Sequence, residues 1–147
     1  MKSEREQREE VIAEARRWIG TPFQDNQCCF GAGVDCAHFC HAVFVGVGVV
    51  KDQAIEHYSD QHMLHRDQEL FLGYVLRAGA REIPLDAAQP ADLILYKIGR
   101  VYAHGALVVE WPKRIIHAHK QSGSVLETGP YECGLARYGA PRAFTFW

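Results

Sequence analysis

The sequence predicts an α+β domain in which N-terminal helices pack on a C-terminal antiparallel sheet. Three observations carry this reading. Apolar residues recur at helical spacing over residues 3–19 and again after Cys36. From about residue 92 to the end the pattern changes to period two, broken by turn residues. Helices come first and strands follow, which is the α+β order rather than a strand–helix alternation.

Each element has a local reason. Ser3 and Glu6 have the spacing of a capping box. Val11, Ile12, Ala15, Trp18 and Ile19 then form one apolar stripe, so a helix is expected over 3–19, stopping at Gly20. Residues 20–34, GTPFQDNQCCFGAGV, carry three glycines and one proline and read as a loop. Asp35 is a suitable N-cap for a second helix beginning at Cys36. Phe39, Cys40, Val43, Phe44 and Val47 supply its buried face, and the period dissolves after Gly46 and Gly48. A third helix is expected over about 67–78, ending at Gly79. Strands are expected over 92–98, 101–110, 114–119, 124–127 and 143–147, with Gly99-Arg100 and Trp111-Pro112-Lys113 as hairpin connections. There is no internal repeat, low-complexity segment or linker, so residues 1–147 read as a single domain.

Composition excludes several classes. With 48% apolar and 23% charged residues, the chain reads as a soluble globular domain. Sixteen basic against 18 acidic residues leave a net charge of −2, with no basic surplus for nucleic acid or an anionic membrane. No apolar run reaches the roughly 20 residues of a membrane span. The polar start, MKSEREQREE, has no apolar signal region, so synthesis in the cytoplasm without a signal peptide is expected. Five cysteines, at 28, 29, 36, 40 and 133, are an odd count at uneven spacing. That argues against a disulfide framework and for a reducing compartment.

Cys36 is the candidate nucleophile. In a first helical turn a thiol meets unpaired N–H groups and the positive end of the helix dipole, which lower its pKa and could hold an oxyanion. The bland alternative is a small buried hydrophobe. A thiol nucleophile requires a proton acceptor, and histidine suits. His104, in VYAHGALVVE, alternates with the apolar Ala106 and Val108 and precedes Gly105, which permits close approach. His117, in RIIHAHK, could orient the His104 ring, and His119 shares that face, so periodicity alone leaves the two open. His38 and His41, like His62 and His65, are three apart, yet no paired CxxC accompanies them, and no metal site is expected. P-loop, GxGxxG, GxSxG and HExxH motifs are absent, so no cofactor is expected.

These residues resemble a known family. The run WIGTPFQDNQCCFGAGVDCAHF is similar to the opening of NlpC/P60 cysteine peptidases, particularly their phage-tail-associated branch. QPADLILYKIG resembles the strand after the central helix, YAHGALVV the strand bearing the base, and RIIHAHK the strand whose I-H-A bears the third polar residue. The resemblance spans most of residues 10–147. It implies a papain-like α+β domain with Cys36, His104 and His117 as the triad, and Asp35, Phe23 and His38 near the substrate or oxyanion. It also implies hydrolysis of an amide bond in peptidoglycan stem peptides, of the γ-D-glutamyl–diamino acid type. A place in a phage or prophage tail, with tail or other assembly proteins as partners, goes with that branch.

Three positions depart from the family pattern. His38 follows Asp35-Cys36-Ala37 where a small residue is usual, Phe23 stands for the usual tyrosine, and Ala91 for a glycine. No cell-wall-targeting domain is visible, so targeting is expected from a partner or from work within a larger assembly. Two rival readings stand beside this one. The first is an acyltransferase or amidase acting on lipids or other small amides. The second is a non-catalytic assembly module with a relic site.

Overall fold

A computed structural model of the chain describes residues 1–57 and 69–147. Helix α1 spans Glu4–Arg17 and is closed at its start by the expected capping box. The Glu6 N–H donates to Ser3 Oγ at 3.2 Å, and the Ser3 N–H donates to Glu6 Oε2 at 2.8 Å. Val11, Ala15 and Trp18 are the buried part of its stripe. The expected loop that follows contains a two-residue hairpin, β1 (Cys28–Cys29) against β2 (Gly33–Val34).

Helix α2 runs Cys36–Gly46, and Asp35 is its N-cap, accepting from the His38 N–H at 2.8 Å. Asp35 is fully buried, and it also accepts from the Asn26 N–H at 2.8 Å, which ties the preceding loop to the helix start. Phe39, Val43 and Phe44 bury almost completely, each worth about 1.5–3 kcal/mol in transfer terms. Helix α3 runs Leu70–Arg77, beginning later than the expected 67. Residues 67 and 68, and His62 with His65, lie outside the described residues.

The sheet is six-stranded and antiparallel, in the order β3 (Arg81–Ile83), β8 (Arg142–Thr145), β4 (Leu93–Ile98), β5 (Val101–Glu110), β6 (Arg114–His119), β7 (Ser124–Thr128). Strand β3 was not expected from sequence, and β7 extends one residue past the expected end. The last strand ends at Thr145 rather than Trp147. Leu93, Leu95, Leu107, Ile116 and Ala118 pack against α1 and α2. Residues of the other parity, Ile94, Tyr96, Ala106, Val108 and Ile115, form a second core with Leu135. The sheet is therefore buried on both faces, with α1 and α2 covering one and the segment around Leu135 contributing to the cover of the other.

Candidate active site

The register of β5 and β6 brings three histidines together. His104 shares its parity with Ala106 and Val108, and it is 7% exposed. Its Nε2 lies 2.8 Å from His117 Nδ1, with the rings edge to face. His117, fully buried, has its Nε2 2.9 Å from Thr128 Oγ1 at the end of β7. The Thr128 hydroxyl donates to the Gly129 carbonyl at 3.0 Å. His119 lies against the His104 ring edge to face, 5.9 Å between centroids. Its Nδ1 is 2.7 Å from Ser122 Oγ and accepts from the Ser122 N–H at 3.2 Å. Geometry thus makes the choice that periodicity left open: His117, not His119, hydrogen-bonds His104.

Cys36 starts α2 and reaches β5 from the helix. Its thiol donates to the Ala103 carbonyl at 3.4 Å, one residue before His104. Cys36 Sγ thus bonds the backbone beside His104 and not the His104 ring itself. Both side chains border one cavity of about 500 Å³, whose wall also includes Phe23, Phe71, Tyr102 and His119. His104 Nδ1 has no hydrogen-bond partner among the described residues.

The sequence suggested a lowered Cys36 pKa, and the structure overturns that. Burial, then the Asp35 carboxylate, push the thiol up to about 12, and the N–H groups of Gly105, Ala37 and Cys36 offset only part of this. A helix end contributes up to roughly 2 kcal/mol at best, whereas enclosing a charge in low dielectric costs more. Burial also sets the imidazoles. It holds His104 well below its ordinary value, with His117 and His119 adding to the effect. Burial and then His119 take His117 down to about 3. At neutral pH the resting site is therefore a thiol with uncharged rings.

The remaining expected residues fall in different places. Phe23 lines the cavity. Asp35 and His38 are not among its lining residues; His38 Nδ1 lies 2.8 Å from Asp35 Oδ1 and braces the cap of α2. Asp35 takes the His38 N–H, and Ala37, whose N–H lies in the first helical turn, sits on the cavity wall. Gly105 does provide close approach, but to a side chain. A Cβ there would stand 2.6 Å from Phe71 Cζ. Sequence reasoning missed Phe71, Thr128 and the wall from Cys133 to Tyr138. Thr128 falls one residue past the strand end expected from sequence, so no local signal marked it. Among the described residues no group of three His, Cys, Asp or Glu side chains is arranged to hold a metal ion.

No protein-family model matches this sequence, and no curated protein does. Solved structures do match. The P60 domain of the M. avium subspecies paratuberculosis antigen MAP1204 aligns with a TM-score of 0.62 at 23% identity, over 97% of this chain and 96% of that one. The NlpC/p60 domain of the peptidoglycan hydrolase SagA aligns at 0.58 and 19%, over 94% and 97%. The fold is that of an NlpC/P60 domain. RipD of Mycobacterium tuberculosis, described as a non-catalytic NlpC/p60 domain protein adapted to peptidoglycan binding, aligns at 0.59 and 16%, over 95% and 96%. An NlpC/P60 fold therefore does not by itself imply catalysis, and the side chains of the site must carry that argument.

Proposed function

We propose that this protein is a cysteine hydrolase that cleaves an amide bond in peptidoglycan stem peptides. Cys36 is the nucleophile, His104 the general base and acid, and His117 the residue that holds His104. The observation that supports this most is the 2.8 Å bond between His104 and His117, with the other His104 nitrogen unengaged among the described residues and both His104 and Cys36 bordering one cavity.

The chemistry follows from the resting state. With the thiol raised to about 12 and the imidazole neutral, there is no standing thiolate–imidazolium pair. The thiol leaves the Ala103 carbonyl, and His104 Nδ1 takes its proton as Sγ attacks the scissile carbonyl carbon. Charge on the carbonyl oxygen meets N–H groups of the first turn of α2, Ala37 foremost. His104 then gives the proton to the departing amine, leaving a thioester on Cys36. Water, deprotonated by His104, hydrolyses the thioester and restores the thiol.

The γ-D-glutamyl–diamino acid bond and a role in a phage or prophage tail are the finer readings, supported by the residue patterns around Cys36 and His117. Hydrolase neighbours of the same fold support the wall substrate. One observation favours a second reading, an amidase or acyltransferase working on an apolar acyl group. Leu70, Phe71, Ile98, Tyr102 and Leu135 make much of the cavity wall apolar. Mass spectrometry of peptidoglycan fragments, with a long-chain acyl amide run in parallel, separates the two. New stem-peptide cleavage by wild type and none by Cys36→Ala is the expected result. Cleavage of the acyl amide alone would replace the wall reading, and cleavage of neither would leave a binding module.

A further inference from the structure

We infer that Thr128 is a positioning residue for this site: its hydroxyl, through His117, fixes which nitrogen of His104 is free to act as base. The inference rests on the proposed role of His104 and follows from counting protons along one chain of contacts.

The chain begins at a carbonyl. Gly129 O can only accept, so the 3.0 Å contact with Thr128 Oγ1 requires the single hydroxyl proton to lie between them. Thr128 Oγ1 then has only lone pairs for His117 Nε2 at 2.9 Å, and that nitrogen must carry a proton. A neutral imidazole carries one, so His117 Nδ1 is the acceptor. The 2.8 Å contact to His104 is then satisfied only if His104 Nε2 carries its proton. His104 Nδ1 is left as a lone pair, and it is the nitrogen without a partner among the described residues. Both rings are held neutral by burial, so the choice is between tautomers rather than charges.

The far end of the chain is anchored. The Gly129 N–H donates to the Glu132 carboxylate, and the Glu132 N–H returns to Gly129 O at 3.3 Å. Tyr96 Oη donates to Pro130 O at 2.7 Å. The carbonyl that orients the threonine thus belongs to a turn held at adjacent residues. In the opposite arrangement Thr128 would donate to His117 Nε2. Two oxygens would then face each other at 3.0 Å with no proton between them, and His104 would end with its proton on Nδ1. A third-residue histidine, unlike a carboxylate, can face its neighbour in either sense, so a directional group behind it is required.

Two variants and two readouts test this. Thr128→Val keeps the shape and removes the hydroxyl, while Thr128→Ser restores it. Nitrogen-15 NMR of the histidine rings at pH 7 reads the tautomers without substrate. The expected result is Nε2-protonated His104 and His117 in wild type and in Thr128→Ser, with Nδ1-protonated rings appearing in Thr128→Val. Turnover of the peptidoglycan peptide by Thr128→Val is expected to fall at least about tenfold in kcat, as one directing hydrogen bond implies. KM should stay within about twofold, and Thr128→Ser should recover most of the loss. Unchanged tautomers and kcat in folded Thr128→Val would overturn the inference, as would failure of serine to rescue. If Thr128→Val does not fold, the tautomers of wild type alone decide: an Nδ1-protonated His104 sinks the inference. Wild-type tautomers as stated, in a protein whose activity survives Cys36→Ala, would refute Cys36 as the nucleophile while leaving the proton order standing.

Discussion

Two of the buried polar clusters in this fold are built on opposite rules. One joins α1 to the sheet. Arg8, 8% exposed, donates to Asp92 Oδ1 at 2.8 Å, the Pro90 carbonyl at 2.7 Å, Thr145 Oγ1 at 3.3 Å and Glu4 at 3.0 Å, and stacks on Trp147 at 4.2 Å. The other Asp92 oxygen accepts from the Gln89 N–H at 2.9 Å. That cluster is charged and closed, with both carboxylate oxygens engaged by protein. The other cluster, His104–His117–Thr128, is uncharged and open at one end, where His104 Nδ1 has no partner among the described residues. A closed cluster can only hold the fold together, whereas an open one has a nitrogen left to exchange a proton with something in the cavity.

Substitutions that separate holding from acting sharpen this contrast. His104→Gln removes the base while keeping a group that can bond His117. Peptidoglycan-peptide turnover is expected to fall on the order of 10³-fold or more, while urea unfolding shifts by only about 1 kcal/mol. Arg8→Met should do the reverse. It leaves Asp92 buried without its cation, which costs about 3–5 kcal/mol of stability, and kcat of the protein that remains folded should stay within about twofold of wild type. An Arg8→Met protein that is stable but inactive would break the division between the clusters.

Acid should act on the histidine cluster. His117 is lowered to about 3 from an ordinary value of 6.5, so the unfolded chain binds a proton over that interval that the folded state refuses. Its stabilising contribution is therefore complete above about pH 6.5 and is lost as pH falls towards 3. Urea midpoints measured from pH 7 to 4 should decline in wild type, and less steeply in His117→Asn. The thiol has the opposite sign. Its raised pKa means the folded state keeps a proton that the unfolded chain releases above about pH 8.5, so stability drains as pH rises towards 12. Alkylation of Cys36 by iodoacetamide should then climb with pH through the range 7 to 10 without levelling off. A plateau below pH 8 would restore the primed thiolate that sequence suggested.

What the sequence made legible follows the strength of each local signal. Helices α1 and α2 and strands β4 to β7 were readable because each repeats its period several times and ends in a cap or turn residue. The β1–β2 hairpin and β3 have two or three residues each, too few to show a period. Arg8 sits among charged neighbours on α1, and nothing local marks it as buried, because its partner is 84 residues away. Cys36 and the histidines were readable as residue types in suitable contexts. The Cys36 pKa was not, since the helix end is a local feature while the enclosure that outweighs it is assembled by distant segments. The same holds for Thr128, whose meaning depends on which histidine lies across the sheet.

The smallest expected effect concerns His119, and it bears most directly on how the open cluster is wired. His119 packs 5.9 Å from His104 and 5.5 Å from His117 between ring centroids, yet its hydrogen bonds run to Ser122, not to either ring. It borders the cavity, so its loss would admit water beside His104. His119→Ala should therefore cost only about two- to fivefold in kcat at pH 7, the scale of a lost packing contact rather than a lost directing hydrogen bond. It should also act at low pH. His119 contributes to the depression of both His104 and His117, so removing it should let both rings protonate at higher pH. The acid limb of the rate profile should then move upward, because a protonated His104 cannot accept from Cys36. His117→Ala measured alongside should lose at least about a hundredfold in kcat, since it abolishes the bond that sets the His104 ring and tautomer. If the two variants exchanged these magnitudes, the ring that directs His104 would be His119, and the chain through Thr128 would belong with the closed cluster rather than the acting one.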